Sequence, residues 1–193
     1  MAKIILATTS PYRIQACKDA LIEVIPEGSE INEDFKGRPE LPDDLVKELA
    51  KRKAEVVALN HNSGIIIGLD SLAYFRSQIL EKPKSEQEAF DRLKSFSGNK
   101  LEFLTGVHLI NKNNSPQTAL SKVVHSDLYM RNLSDQEITE YLETDPRYKT
   151  LALGFCLLYH KSASFVKEIR GDYNSPLRGI PLSVIIEMIN SQK

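Results

Sequence analysis

Apolar and polar positions along the chain switch between two periods, and the switches mark the elements. Lys3 to Thr8 (KIILAT), apolar from Ile4 to Ala7, reads as a first strand buried on both faces. Thr9, Ser10 and Pro11 end it, with Ser10 suited to an N-cap and Pro11 to the first helical position. Ile14, Cys17, Leu21 and Val24 then recur at helical spacing and predict an amphipathic helix. A strand-like piece over 29–35 and a loop with Gly37, Pro39 and Pro42 lead to a long helix ending near Asn60, capped by Asp43 or Asp44. Its expected apolar stripe is Leu45, Val46, Leu49, Val56 and Val57. Lys53 falls in the middle of that stripe rather than on its polar rim, so it must snorkel or meet an anion.

Ile65, Ile66 and Ile67 open a second buried strand, read as ending on Asp70, and a hairpin is expected through Phe75, Arg76 and Ser77. Lys82 is held extended by Pro83. Ser85 to Glu88 is a capping-box pattern that starts a helix with Ala89, Leu93 and Phe96 inward, closed by Gly98. Strands are expected over 101–110 and 118–129 around a turn at 112–115, with Thr105-Gly106 marking a close backbone approach. A second capping box, Ser134 to Glu137, opens a helix to about Glu143, broken at Asp145-Pro146. An apolar stretch over 151–159 is read as crossing the core. A strand over 165–169, a turn over 171–174 and a helix from Pro181 to Asn190 complete the chain. No repeat, low-complexity segment or linker interrupts it, so a single domain over 1–193 is expected. The loose alternation of strands and helices argues an α/β or mixed α+β fold.

Composition narrows the partners more than the fold. The chain is 41% hydrophobic and 26% charged, with a formal net charge of −1. The charge argues against long nucleic acid, which calls for a basic surplus or patch. No apolar run reaches the ~20 residues needed to cross a bilayer, and residues 1–10 lack a secretory cleavage pattern. Cys17 and Cys156 read as reduced core residues of a cytoplasmic protein.

The chemistry-bearing residues are three cations and one strand acid. No glycine-rich P-loop, dinucleotide fingerprint or nucleophile elbow is present, and His61, His108, His125 and His160 lack metal-ligand spacing. Arg13 lies in the first turn of a helix that follows a strand, where backbone amides favour an anion. Lys53 lies in an apolar stripe. Asp70 with Lys82 reads equally as part of a site for a metal-bound polyanion or as a structural ion pair at a sheet margin. Cations with a carboxylate that can hold a divalent metal suit phosphoryl chemistry. A nucleotide-binding module would use the same cations without needing Asp70.

Eight segments, in order, resemble the Maf-like nucleoside triphosphate pyrophosphatases along nearly the whole chain. They are ILATTSPYR (5–13), SEINE (29–33), LAKRKA (49–54), GLDS (68–71), EKP (81–83), FSGN with LTGV (96–107), LSDQEITEYL (133–142) and GDYNSPLRGIPL (171–182). The resemblance implies an elongated mixed sheet flanked by helices, with two lobes and a central cleft. It implies hydrolysis of a nucleoside triphosphate to the monophosphate and pyrophosphate with a divalent cation, magnesium or manganese. Asp70 falls on the position of the base, Arg13, Lys53 and Lys82 on phosphate-holding positions, and Glu33 on an acidic position that joins Asp70 at the metal. Tyr12, Ser71 and Tyr159 fall on substrate-distinguishing positions. Tyr12 after the Ser-Pro pair is similar to the 7-methyl-GTP branch, where the dTTP/UTP branch has arginine; the dTTP/UTP substrates are the alternative. A homodimer is expected on the resemblance alone. The chain departs from the family at Ile14, where a second basic residue is usual, and at Glu81, where a glycine is usual. It departs again at Ala152-Leu153-Gly154, in place of Lys-Ala-Gly, and at Tyr159, in place of glutamine or glutamate. These departures leave open a nucleotide-binding regulator with reduced or lost turnover.

Overall fold

The unbroken apolar runs form the inner strands of a mixed sheet. In the computed structural model, which describes residues 3–192, strand β1 (Ile4–Ala7) lies between β2 (Ile25–Glu27) and β3 (Ile65–Phe75) and is parallel to both. Beyond β3 come β5 (Lys100–Asn111), β6 (Thr118–Met130) and β7 (Val166–Gly171). The short β4 (Gln78–Leu80) pairs antiparallel with the far end of β3. Among the described residues six α-helices flank these strands: α1 (Pro11–Asp19), α2 (Pro42–Ala58), α3 (Glu86–Phe96), α4 (Asp135–Thr144), α5 (Asn174–Arg178) and α6 (Leu182–Asn190). The fold is the mixed α/β class expected. Met1, Ala2 and Lys193, at the ends of the expected 1–193 domain, lie outside the described residues.

The chain divides into two units. The first comprises residues 3–71, 104–124 and 178–192, and the second 72–103 and 125–177; β3, β5 and β6 each contribute residues to both. In the first unit, the period-2 geometry of β3 sends alternate side chains to opposite faces. Ile65, Ile67 and Leu69 join Leu6, Cys17 and Ile185 in one apolar cluster, while Ile66 joins Ala54, Val57 and Ala58 of α2 in another. In the second unit the core is aromatic. Phe75 meets Phe96 edge-on at 5.1 Å between ring centroids, and Tyr141 meets Phe165 at 5.5 Å.

Several expectations change, each for a local reason. The first helix stops at Asp19 because Leu21 takes a left-handed φ of 55° and the Ile22 amide donates back to the Cys17 carbonyl, a Schellman-type stop. Leu21 is therefore exposed rather than on the apolar face. Residues 29–35 form a loop, not a strand, with the Asp34 amide donating to the Asn32 side chain. Leu41, not Asp43 or Asp44, takes the N-cap position of α2; the two aspartates lie in its first turn, where they favour the dipole. The buried stripe of α2 includes Ala50, Ala54 and Ala58, and Val56 is exposed. Alanines are needed because α2 lies against two glycines. A Cβ on Gly68 would stand 2.0 Å from the Ala50 carbonyl oxygen, and one on Gly106 2.1 Å from that of Val46. The close approach expected at Thr105-Gly106 is thus present. Strand β3 does not end at Asp70 but continues to Phe75, turning at Arg76 and Ser77, both with positive φ as a tight hairpin requires. The stretch over 151–159 buries Leu153, Phe155 and Cys156 but forms no strand or α-helix.

Candidate functional site

The last β1–β3 rung pairs Ala7 with Gly68, so Leu69, Asp70 and Ser71 lie on β3 just past the end of its parallel neighbour. Strand ends of this kind gather functional groups in α/β sheets. Asp70 follows Ile66 and Gly68 on the face that carries α2, and there it meets Lys53. The Lys53 Nζ lies 2.5 Å from Asp70 Oδ1 and 2.7 Å from Glu33 Oε1. Both Lys53 and Asp70 are nearly covered, with side chains 14% and 12% exposed, while Glu33 is 57% exposed. Glu33 is brought in by the 29–35 loop. Its Phe35 lies under the Arg52 guanidinium, whose carbon is 3.4 Å from the ring centroid, which anchors the loop to the turn of α2 that carries Lys53. Lys53 in the stripe thus meets anions, two of them, and the acidic 29–35 segment supplies one.

From the opposite face comes Arg13. Its Nε donates to the Gly179 carbonyl at 2.8 Å, Nη1 to the Leu69 carbonyl at 3.0 Å and Nη2 to Ser71 Oγ at 3.2 Å. These bonds take up three of the guanidinium's five N–H groups and bracket Asp70 from the residues on either side of it. Ser71 Oγ, which accepts from Arg13, also shares a hydrogen bond with Thr105 Oγ1, 3.0 Å away. Ser10 precedes α1 as expected, although its hydroxyl makes no capping bond. Burial raises the Asp70 carboxyl above its ordinary range; the charge and hydrogen bond of Lys53 and the charge of Arg13 oppose this, and Glu33 adds to it. Burial correspondingly lowers Arg13, against the pull of Asp70 and Glu33.

Arg13, Glu33, Lys53, Asp70 and Ser71 therefore form one constellation in the first unit, where Tyr12 lies half-buried in the first turn of α1. Lys82 and Tyr159 belong to the second unit. Lys82 is exposed between β4 and α3, ahead of the buried Pro83. Tyr159 is half-exposed, with the Arg147 guanidinium carbon 5.4 Å from its ring centroid. Sequence reasoning missed Thr105 and the Gly179 carbonyl as partners of this strand. Thr105 was visible only as the neighbour of Gly106, and a main-chain carbonyl leaves no trace in side-chain identity.

Among the described residues no group of three or more histidines, cysteines or acids could hold a metal. Asp70 and Glu33, bonded to the same ammonium, offer two hard oxygen donors, a set that fits a magnesium-type ion completing its shell with phosphate and water oxygens. Cys17 and Cys156 are buried and unbridged, and burial pushes the Cys17 thiol up to about 11, so it is no nucleophile at neutral pH. His61 is engaged by Glu27 at 2.7 Å and His108 by Ser121 at 2.7 Å. No helix among the described residues is long and apolar enough to cross a membrane.

Comparison with known proteins places the chain in a family. A dTTP/UTP pyrophosphatase of Geobacillus sp. (strain WCH70) is 35% identical over 95% of this chain and 94% of its own length. One of Clostridioides difficile (strain 630) is 34% identical over 96% and 93%. Among solved structures, the Staphylococcus aureus Ham1 protein aligns over 99% of this chain and 100% of its own at 14% identity, with a TM-score of 0.47. A family model described as Maf-like protein matches residues 3–192, and with relatives this similar over nearly their whole length, the chain belongs to the Maf-like family.

Proposed function

We propose that this protein hydrolyses a nucleoside triphosphate to the monophosphate and pyrophosphate. The observation that carries the reading is the Lys53 ammonium held by both Asp70 and Glu33 on a strand clamped by Arg13. A compact ammonium on flexible methylenes can exchange a carboxylate for a phosphate oxygen, which releases Asp70 for catalysis. Asp70 then orients the attacking water at the α-phosphorus and takes its proton; its raised pKa makes it a better base than an ordinary carboxylate. Arg13 keeps Leu69 and Ser71, and so Asp70, in register, and the family resemblance assigns it to phosphate as well. Asp70 and Glu33 would hold a magnesium or manganese ion, which when bound supplies neutralisation of phosphate charge and a more acidic water. Lys82 is assigned to phosphate by the family resemblance.

The names of the relatives support dTTP or UTP as substrate. A second reading, 7-methyl-GTP, is favoured by Tyr12, because an aromatic face attracts a positively charged ring by ~0.5–2 kcal/mol. Tyr159, the other aromatic at a substrate-distinguishing position, would add to the same preference. Ser71, whose hydroxyl bonds Arg13 and Thr105, acts on specificity through shape. The test is pyrophosphate release from dTTP, UTP, GTP and 7-methyl-GTP, with magnesium, with manganese and with chelator. Metal-dependent release matched by monophosphate is expected. Nucleotide binding with no release from any of the four would instead favour the regulator. A kcat/KM highest for 7-methyl-GTP would reverse the order of the two substrates.

A further inference from the structure

The second unit contains a cation that the proposed mechanism does not use. Arg92 of α3 has a side chain only 9% exposed. Its Nη1 donates to two main-chain carbonyls, Glu81 at 2.5 Å and Ala152 at 2.6 Å, and its Nη2 donates to Glu88 Oε1 at 2.9 Å. Glu88 in turn accepts the Lys84 amide on its other oxygen at 2.8 Å. The Arg92–Glu88 pair therefore grips the backbone on both sides of Lys82-Pro83, at the carbonyl before it and the amide after it. The same guanidinium holds the 152–154 segment. There Gly154, at φ +78°, leaves room where an added Cβ would lie 3.7 Å from Arg92 Cδ and 3.8 Å from Pro83 Cγ.

We propose that Arg92, fixed by Glu88, is a positioning residue that pre-organises Lys82 for a phosphate of the substrate. This rests on the assignment of Lys82 to phosphate made above. A lysine on an exposed turn loses side-chain and backbone entropy when it engages an anion. Anchoring the two flanking backbone groups removes the backbone part of that cost before binding, as preorganisation generally does. Arginine suits the task because its planar fork meets several fixed acceptors at once, which a lysine cannot reproduce.

The experiment is a double-mutant cycle on the full chain, read as the affinity for inorganic triphosphate by calorimetry, which is independent of the base. Lys82→Ala is expected to weaken binding ~10–100-fold, and Arg92→Met ~10-fold in the wild-type background. In the Lys82→Ala background Arg92→Met should change affinity less than twofold, because it acts through Lys82. Arg92→Lys should recover part of the loss. Should Arg92→Met fail to fold, Glu88→Gln, which keeps both Arg92–carbonyl bonds and weakens the grip on Lys84, takes its place with a smaller loss that again vanishes without Lys82. A full loss that persists in the Lys82→Ala background, or no loss in the wild-type background, overturns the proposal while leaving the Lys82 assignment intact. An unchanged affinity for Lys82→Ala alone overturns that assignment and the positioning role with it.

Discussion

Two largely covered cations, one in each unit, are held in opposite ways. Lys53 of the first unit meets two carboxylates, one nearly buried and one exposed. Arg92 of the second unit meets two neutral carbonyls and one carboxylate. The lysine's partners are charged side chains that a polyanion or a metal can replace, so the pair can be exchanged on binding. The arginine's partners are largely main chain, which cannot leave without unfolding the turn. Charge placed against charge makes a reactive place; charge placed against backbone makes a rigid one. Arg13 sits between these uses, with main-chain and hydroxyl acceptors yet beside Asp70.

The largest effect that would break this comparison is expected at Asp70. Asp70→Asn keeps shape and an acceptor for Lys53 but loses the charge, so pyrophosphate release should fall ~10²–10⁴-fold while nucleotide binding persists. Near-normal turnover in a folded variant would remove Asp70 from the chemistry. Next comes Lys53→Met. Methionine suits an apolar stripe, but it leaves a buried carboxylate without its nearest cation, a change worth about 3 kcal/mol at neutral pH. The loss should depend on pH in one direction. The Asp70 carboxyl is raised in the folded state relative to an ordinary 3.8. Its contribution to stability is therefore fully present below that ordinary value and is lost as pH rises through the folded value. Melting temperatures of Lys53→Met should fall from pH 4 to 8, and the Lys53→Met/Asp70→Asn double variant should lose that slope.

A smaller effect tests the seat on which the first site is built. Gly68→Ala forces a Cβ into the Ala50 carbonyl at 2.0 Å and should cost about 2–3 kcal/mol by urea midpoint, with activity falling as α2 and Lys53 shift. A neutral result would mean that α2 does not need its close approach to β3. The smallest concerns the second unit alone. The capping box at α4 has the Ser134 hydroxyl accepting the Glu137 amide at 3.2 Å and Glu137 accepting the Ser134 amide at 3.0 Å. Ser134→Ala should cost ~1 kcal/mol with no change in kcat/KM. Bonds from Arg131 and Ser134 lower the Glu137 carboxyl from 4.5 to about 2, so this support is present above about 4.5 and is lost as pH falls through about 2. Glu137→Gln should flatten the acid limb of the stability profile measured by circular dichroism.

Local pattern carried a good part of the fold. Ile65 to Ile67 read as a buried strand, Ser134 to Glu137 as a capping box, and Arg76-Ser77 as a hairpin turn, because each depends on side chains within a few residues of one another. The site was legible as far as single residues carry their own anomaly. Lys53 stood out because a charge in an apolar stripe needs a partner, and Asp70 because a carboxylate in a buried strand does. Glu33 carried no anomaly of its own: only the family resemblance singled it out, and only the fold brought its loop to α2. Arg92 did not stand out in the sequence at all, because its partners are carbonyls 11 and 60 residues away that no side-chain identity announces. The α2 stripe was misread at Val56 and its alanines for a related reason: hydrophobic period reports which side faces the core, but not how close that core lies. The sequence by itself determined the order and type of most elements, the family, and the charged residues in need of partners. Only the tertiary structure decided which partners they took. Gly68 and Gly106 let α2 approach close enough for Lys53 to reach Asp70, and β3 runs on past β1 so that Arg13 can take the Leu69 carbonyl. Both depend on distances between segments remote in sequence, which local propensity does not encode.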